Sequence, residues 1–145
     1  MSEVVIHTDG GSRGNPGPSA IGVVIDLGVR GVKEYGESIG RRTNNEAEYE
    51  AVIFALKKTK VLLGSLKSSK TGIMVCMDSE LIVKQLCGEY KIKEKEFYPL
   101  FIAVWNAQQD FHEVRFKAVP REQNTRADSI VNRTLDQNTR KQLAF

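Results

Sequence analysis

The chain opens with three strand-like segments joined by turns, before any helix begins. Residues 3–8 are largely apolar on both alternating faces, the pattern of a central strand. Residues 20–27 (AIGVVIDL) and 32–39 (VKEYGESI) follow, and the short GVRG turn between them favours antiparallel pairing. From Thr43 the period changes. Thr43 and Glu46 match a capping box, and Ala47, Ala51, Ala55 and Leu62 keep a helical spacing, so a long helix is predicted over 43–63. The segment GSLKSSKTG then breaks the pattern. Residues 72–77 (GIMVCM) read as a short strand, and 79–86 as a helix with Ile82 and Leu86 on one face. GEYKIKEKEF is polar and turn-like. Residues 98–110 read as a helix with Phe101, Val104 and Trp105 inward, Pro99 being tolerated in its first turn. Residues 113–119 alternate like a strand. A last helix is predicted from Thr125 to about Asp136, with Thr125 as cap and Asp128 three residues on. Beyond Asn138 the expectation is a tail, either frayed or docked through Leu143 and Phe145.

The order βββαβααβα implies an α/β fold with a mixed five-stranded sheet flanked by helices. The hairpin start argues against a dinucleotide-binding fold, as does DGGSRGNPG (residues 9–17), which is no GxGxxG opening a helix. At 145 residues the expectation is a single domain over 1–145. Hydrophobic residues are 41% and charged residues 27%, which is globular rather than disordered composition. The net charge of +3 leans mildly toward a polyanionic partner. Two cysteines do not make a secreted disulfide scaffold. Cys76 lies in an apolar run and reads as a buried free thiol, with pairing to Cys87 as the alternative. No CxxC pair suggests zinc. No basic start precedes a long apolar segment, and no apolar run approaches membrane-spanning length, so a cytoplasmic protein with no membrane association is expected.

Four carboxylates stand at the ends of these predicted elements. Asp9 ends the first strand, Glu48 lies in the first turns of the long helix, Asp78 ends the fourth strand, and Asp128 lies in the first turn of the last helix. If strands one and four are parallel neighbours, Asp9 and Asp78 stand side by side at the sheet edge where open α/β sheets keep their ligand sites. Acids that converge in a cleft repel one another unless positive charge sits between them. Mg²⁺ or Mn²⁺ suits an all-oxygen set without a cysteine or histidine cluster. Two such ions about 4 Å apart can bracket a scissile phosphate. Each acid also has a plainer role: Asp9 and Asp78 as turn or helix caps, Glu48 as a solvated helix residue, Asp128 as part of the cap with Thr125.

TDGGSRGNPG, TNNEAEYEA (43–51), MDSELIV (77–83) and VPREQNTRAD (119–128) together resemble type 1 ribonuclease H, in that family's order and over most of the chain. The shorter, arginine-bearing last motif is similar to that of archaeal-type members. The resemblance implies a ribonuclease H-like fold and an endonuclease that cuts the RNA strand of RNA/DNA hybrids, leaving 3′-hydroxyl and 5′-phosphate ends. It implies metal ligands at Asp9, Glu48, Asp78 and Asp128, two Mg²⁺ ions with substrate, and Mn²⁺ as a possible substitute. It implies substrate contacts at Asn15, Asn44 and Asn45, with backbone around Gly11 and Ser12 and a DNA-strand phosphate held by Thr43. The capping and phosphate roles of Thr43 both stand at this point.

Two departures from the family pattern matter. Many members carry a histidine in the loop before the last helix. Here that loop is PREQNTRA, and the only histidines are His7 and His112, read as packed in the first strand and near a turn. Arg121 takes the loop position, and since arginine does not exchange protons near neutral pH, its role would be electrostatic. The basic protrusion of some bacterial members is also missing: KIKEK supplies Lys91, Lys93 and Lys95, but two glutamates, Glu94 and Glu96, stand beside them. A rival reading is a non-catalytic nucleic-acid binding module on the same fold. Another keeps the chemistry and extends it to double-stranded RNA. A monomer is expected.

Overall fold

A computed structural model describes residues 2–143. Its five strands are β1 (Ser2–Ser12), β2 (Gly17–Asp26), β3 (Val32–Arg42), β4 (Thr71–Met77) and β5 (Glu113–Ala118). Its helices are α1 (Asn44–Leu63), α2 (Ser65–Ser69), α3 (Glu80–Leu86), α4 (Tyr98–Gln108) and α5 (Thr125–Leu143). They form one mixed sheet in the order β3-β2-β1-β4-β5. β1 is central, antiparallel to β2 and parallel to β4. β2 and β3 are antiparallel, and β4 and β5 are parallel.

One face of the sheet makes the main core. Val4 and Ile6 of β1, Ile21, Val23 and Ile25 of β2, and Ile73, Val75 and Met77 of β4 pack with Tyr49, Val52 and Leu56 of α1 and with Val104 of α4. α5 covers the other face, where Val131 and Leu135 meet Ala20, and Ala127 and Ile130 meet Val24. Both helices come in close because glycine stands under them. A Cβ on Gly10 would lie 2.3 Å from the Ala47 carbonyl of α1, and one on Gly22 would lie 2.3 Å from the Ala127 oxygen of α5.

α1 begins as its sequence dictates. The Glu46 N–H donates to Thr43 Oγ1 at 3.2 Å, and the Thr43 N–H donates to Glu46 Oε1 at 2.9 Å. It ends at Gly64, whose φ of 82° suits glycine.

Several expectations need correction. Asp9 does not end β1. The strand continues to Ser12 because β2 keeps pairing with it as far as Ser12↔Ser19. GSLKSSKTG is not merely a break, for α2 forms within it. Trp105 faces solvent at 54% exposure, since α4 points Val104 and Ala107 inward and the next position rotates away. Phe101 is half-buried. α5 runs on past Asp136, with Arg140 and Lys141 in its last turn complementing the helix dipole. Thr125 is the first residue of that helix, so Asn124 and not Thr125 precedes it. Docking of Leu143 and Phe145 falls on side chains outside those described. Cys76 is a buried free thiol and Cys87 an exposed one.

Replacing Gly22 with alanine drives a methyl into the α5 backbone, and overpacking of this kind costs about 1–3 kcal/mol. G22A is expected to lower the urea midpoint accordingly, as followed by circular dichroism. An unchanged midpoint would show that α5 can move away freely.

Candidate active site

The parallel pairing of β1 with β4 is what brings the acids together. It ends at His7↔Cys76, and Asp9 and Asp78 each lie two residues further along. Two steps return the side chain to the same face of a strand, so the two carboxylates share a side. Glu48 arrives from the second turn of α1, where that helix rests on Gly10. Its Oε1 accepts the Gly10 N–H at 2.5 Å. Asp9, Glu48 and Asp78 each place a carboxylate oxygen within 4.8 Å of the others.

These acids line an open cleft of about 580 Å³. Asp128 and Arg121 line it as well, as do Gly11, Ser12, Asn44 and Asn45. Asp128 stands outside the tight three-acid group, yet near enough to hydrogen-bond with Asp9. Asn15 is not part of the cleft wall. Its Oδ1 accepts the Asn44 N–H at 3.0 Å, while Asn44 Oδ1 accepts the Ser12 N–H at 2.9 Å. The asparagines thus lace the glycine-rich loop to the start of α1. Thr43 lies outside the cleft wall and serves the capping box.

Two residues of this neighbourhood escape a reading of the sequence. Asn132 donates from Nδ2 to Asp128 Oδ2 at 3.4 Å and lines the cleft. Its signal is the i,i+4 spacing on α5. Asn124 is 1% exposed and donates from Nδ2 to the Thr8 carbonyl at 2.9 Å. Nothing local marks it, because its partner is far away in sequence.

The electrostatics follow from burial. Asp9 is pushed up to about 7, first by desolvation and then by the charges of Asp78 and Asp128, against a hydrogen bond from Glu48 that favours its charged form. Glu48 rises well above the usual carboxylate range, again through burial first and then the charge of Asp9, with the Gly10 N–H opposing. The hydrogen bond between the two carboxyls raises Glu48 and lowers Asp9, so Glu48 is the donor of the pair. Asp78 is raised by burial and drawn back by the Arg121 guanidinium. An all-carboxylate group held in this way fits a hard divalent cation such as Mg²⁺ or Mn²⁺, which would supply the charge that the protein withholds.

Comparisons with known proteins agree with this architecture. A family described as "Reverse transcriptase-like" matches residues 7–134. A ribonuclease HI of Halobacterium salinarum is 38% identical over 131 residues, covering 90% of this chain and 63% of that protein. A bifunctional protein of Mycobacterium tuberculosis is 37% identical over 136 residues, covering 92% of this chain and 36% of its own length. The chain thus spans only part of these curated relatives. Among solved structures, LC11-RNase H1 in complex with an RNA/DNA hybrid superposes with a TM-score of 0.87 at 40% identity, covering 94% of this chain and 99% of that one.

An antiparallel three-strand start, two further parallel strands and acids gathered at the β1–β4 junction define the ribonuclease H-like class. Within that class, the chain belongs to the type 1 ribonuclease H family.

The raised Asp9 has a measurable consequence without metal. Its folded value of about 7 exceeds an unfolded value of about 3.9. A carboxylate shifted upward contributes stability that is fully present below the unfolded value and is lost as pH rises through the folded one. Chelator-treated protein is therefore expected to lose melting temperature from pH 5 to pH 8. D9N should flatten that slope and melt higher at pH 8. Parallel profiles for parent and D9N would contradict the assigned repulsion.

Proposed function

We propose that the chain is an endonuclease that hydrolyses the RNA strand of RNA/DNA hybrids with two divalent metal ions, leaving 3′-hydroxyl and 5′-phosphate ends. The observation that carries this reading is the convergence of Asp9, Glu48 and Asp78, whose carboxylate oxygens lie within 4.8 Å of one another in an open cleft. A hybrid bound to the similar LC11-RNase H1 supports the choice of substrate. Mg²⁺ ions, or Mn²⁺ in their place, would be held by Asp9, Glu48 and Asp78 with Asp128 beside them. Bound there, the ions would supply an attacking water of lowered pKa and positive charge at the departing oxygen.

The remaining work falls to the chain itself. The Gly10 N–H orients Glu48, so that this carboxylate faces the cleft in one pose. Asn44 and Asn45 present carboxamides on the cleft wall, and such groups both donate to and accept from a ribose 2′-hydroxyl. Asn15 acts at one remove by fixing the Asn44 backbone. The Ser12 hydroxyl donates to the Arg42 carbonyl at 2.9 Å, which ties the end of β1 to the end of β3. Arg121 faces Asp78 across the cleft and is suited to drawing phosphate in. It has no proton to exchange near neutral pH. Thr43 lies beside these groups, where a capped helix start can also meet a phosphate of the DNA strand.

Two unpaired thiols suit a reducing compartment, which favours a cytoplasmic location. Among the described residues no helix is long and apolar enough to cross a membrane.

The direct test uses end-labelled RNA/DNA hybrid, double-stranded RNA, single-stranded RNA and duplex DNA, each with Mg²⁺ or Mn²⁺. Hybrid is expected to be cut within its RNA strand, and duplex DNA left intact. Loss of a metal ligand in D78N should reduce cleavage at least about a hundredfold. R121A should slow turnover more than about tenfold through the lost charge. Cutting of duplex DNA as fast as hybrid, or near-normal turnover by D78N, would overturn the proposal.

A further inference from the structure

Asn124 occupies the position before α5, where an asparagine ordinarily accepts a hydrogen bond from the helix N-terminus. Here its side chain does something else. Nδ2 donates to the carbonyl of Thr8 at 2.9 Å, in a contact buried from solvent. Oδ1 has no protein partner although the residue is 1% exposed. The carboxamide is thus turned to the sheet rather than to its own helix.

The backbone of the same residue makes two more ties. Its N–H donates to the Arg121 carbonyl at 2.9 Å, closing the 3₁₀ turn over Arg121–Gln123. Its carbonyl accepts from the Asp128 N–H at 3.1 Å, the first turn of α5. One buried residue therefore joins the loop of Arg121, the helix of Asp128 and the strand residue next to Asp9. The location explains why a side chain is needed. β4 pairs with β1 only as far as His7, so the Thr8 carbonyl lies just beyond the parallel ladder. A buried carbonyl without a donor is costly, and the Asn124 amide supplies one.

We propose that Asn124 is the positioning residue that sets Asp128 and the Arg121 loop against Asp9, and so completes the cleft for metal and substrate. This rests on the nuclease reading given above. Asn124 itself touches neither substrate nor metal. Its effect passes through Asp128, which stands outside the three-acid group and depends on α5 for its distance from them. Groups that orient metal-binding side chains in this manner typically change affinity or activity about 10- to 100-fold when removed.

Two neutral variants separate this role from helix capping. N124A removes both the tether and any cap. N124S restores a good cap but is too short to reach Thr8 in the same way. If the tether is the function, both should behave alike. kcat on RNA/DNA hybrid should fall about tenfold or more, and the Mg²⁺ midpoint should rise by a similar factor, while KM for hybrid stays within about twofold. A second readout needs no turnover: the rise in melting temperature when Mg²⁺ is added to chelator-treated protein should shrink in both variants. If only one variant folds, its readings decide. Parental kcat and Mg²⁺ midpoint in a folded N124A or N124S would overturn the proposal, even if that variant melts earlier. Recovery by N124S but not by N124A would also overturn it, because capping would then explain everything. Inactive parent protein would sink the nuclease reading instead, and the Mg²⁺-induced melting shift would still report on Asn124.

Discussion

The contact between Gly10 and the start of α1 is the constraint from which the site is built. Strand and helix backbones meet there with no side chain between them, since any Cβ would fall 2.3 Å from the Ala47 carbonyl. That closeness lets the Gly10 N–H reach Glu48. It also puts a helix carboxylate beside Asp9, the residue before Gly10. A larger residue at position 10 would separate the acids as well as the elements. The same residue type thus serves packing and chemistry at one point, and the second glycine contact, Gly22 against α5, brings the helix of Asp128 onto the opposite face.

Holding these acids together works against stability. Asp9 is 8% exposed and Glu48 is 6% exposed, with Asp78 beside them and no basic residue inside the three-acid group. Removing carboxylates from water disfavours their charged form, and each neighbour adds to the effect. The fold answers with the hydrogen bond between Glu48 and Asp9, one backbone N–H and the more distant Arg121. A functional cluster kept at some expense to stability is a common pattern. Divalent ions would relieve the repulsion and take part in the chemistry together.

Much of this was legible in the sequence because the signals were local. The capping box at Thr43 and Glu46, the period change after it, and the opening strands all read directly from short-range pattern. The four acids were visible from their places near element ends. Their grouping was not equal, however: the parallel register gathers Asp9 and Asp78, and the glycine contact adds Glu48, while Asp128 stays further off on α5. Distances of that kind depend on helix placement and leave no local mark. The extension of β1 past Asp9 was hidden by its glycines, which look like a turn and are in fact paired with β2 as far as Ser12. The hydrophobicity of Trp105 suggests burial, whereas its exposed face on α4 is decided by what that helix packs against. Asn124 and its long-range tether to Thr8 had no pattern to betray them.

Burial and convergence push the Asp9 carboxyl up to about 7, and a bound cation would draw it back down. Carbon-detected NMR of the side-chain carboxyls, titrated from pH 4 to pH 9 without metal, measures it directly. Asp9 is expected to titrate at about 7 in the metal-free protein and to shift far downward when Mg²⁺ is added. A midpoint near about 4 without metal, unmoved by Mg²⁺, would contradict the account.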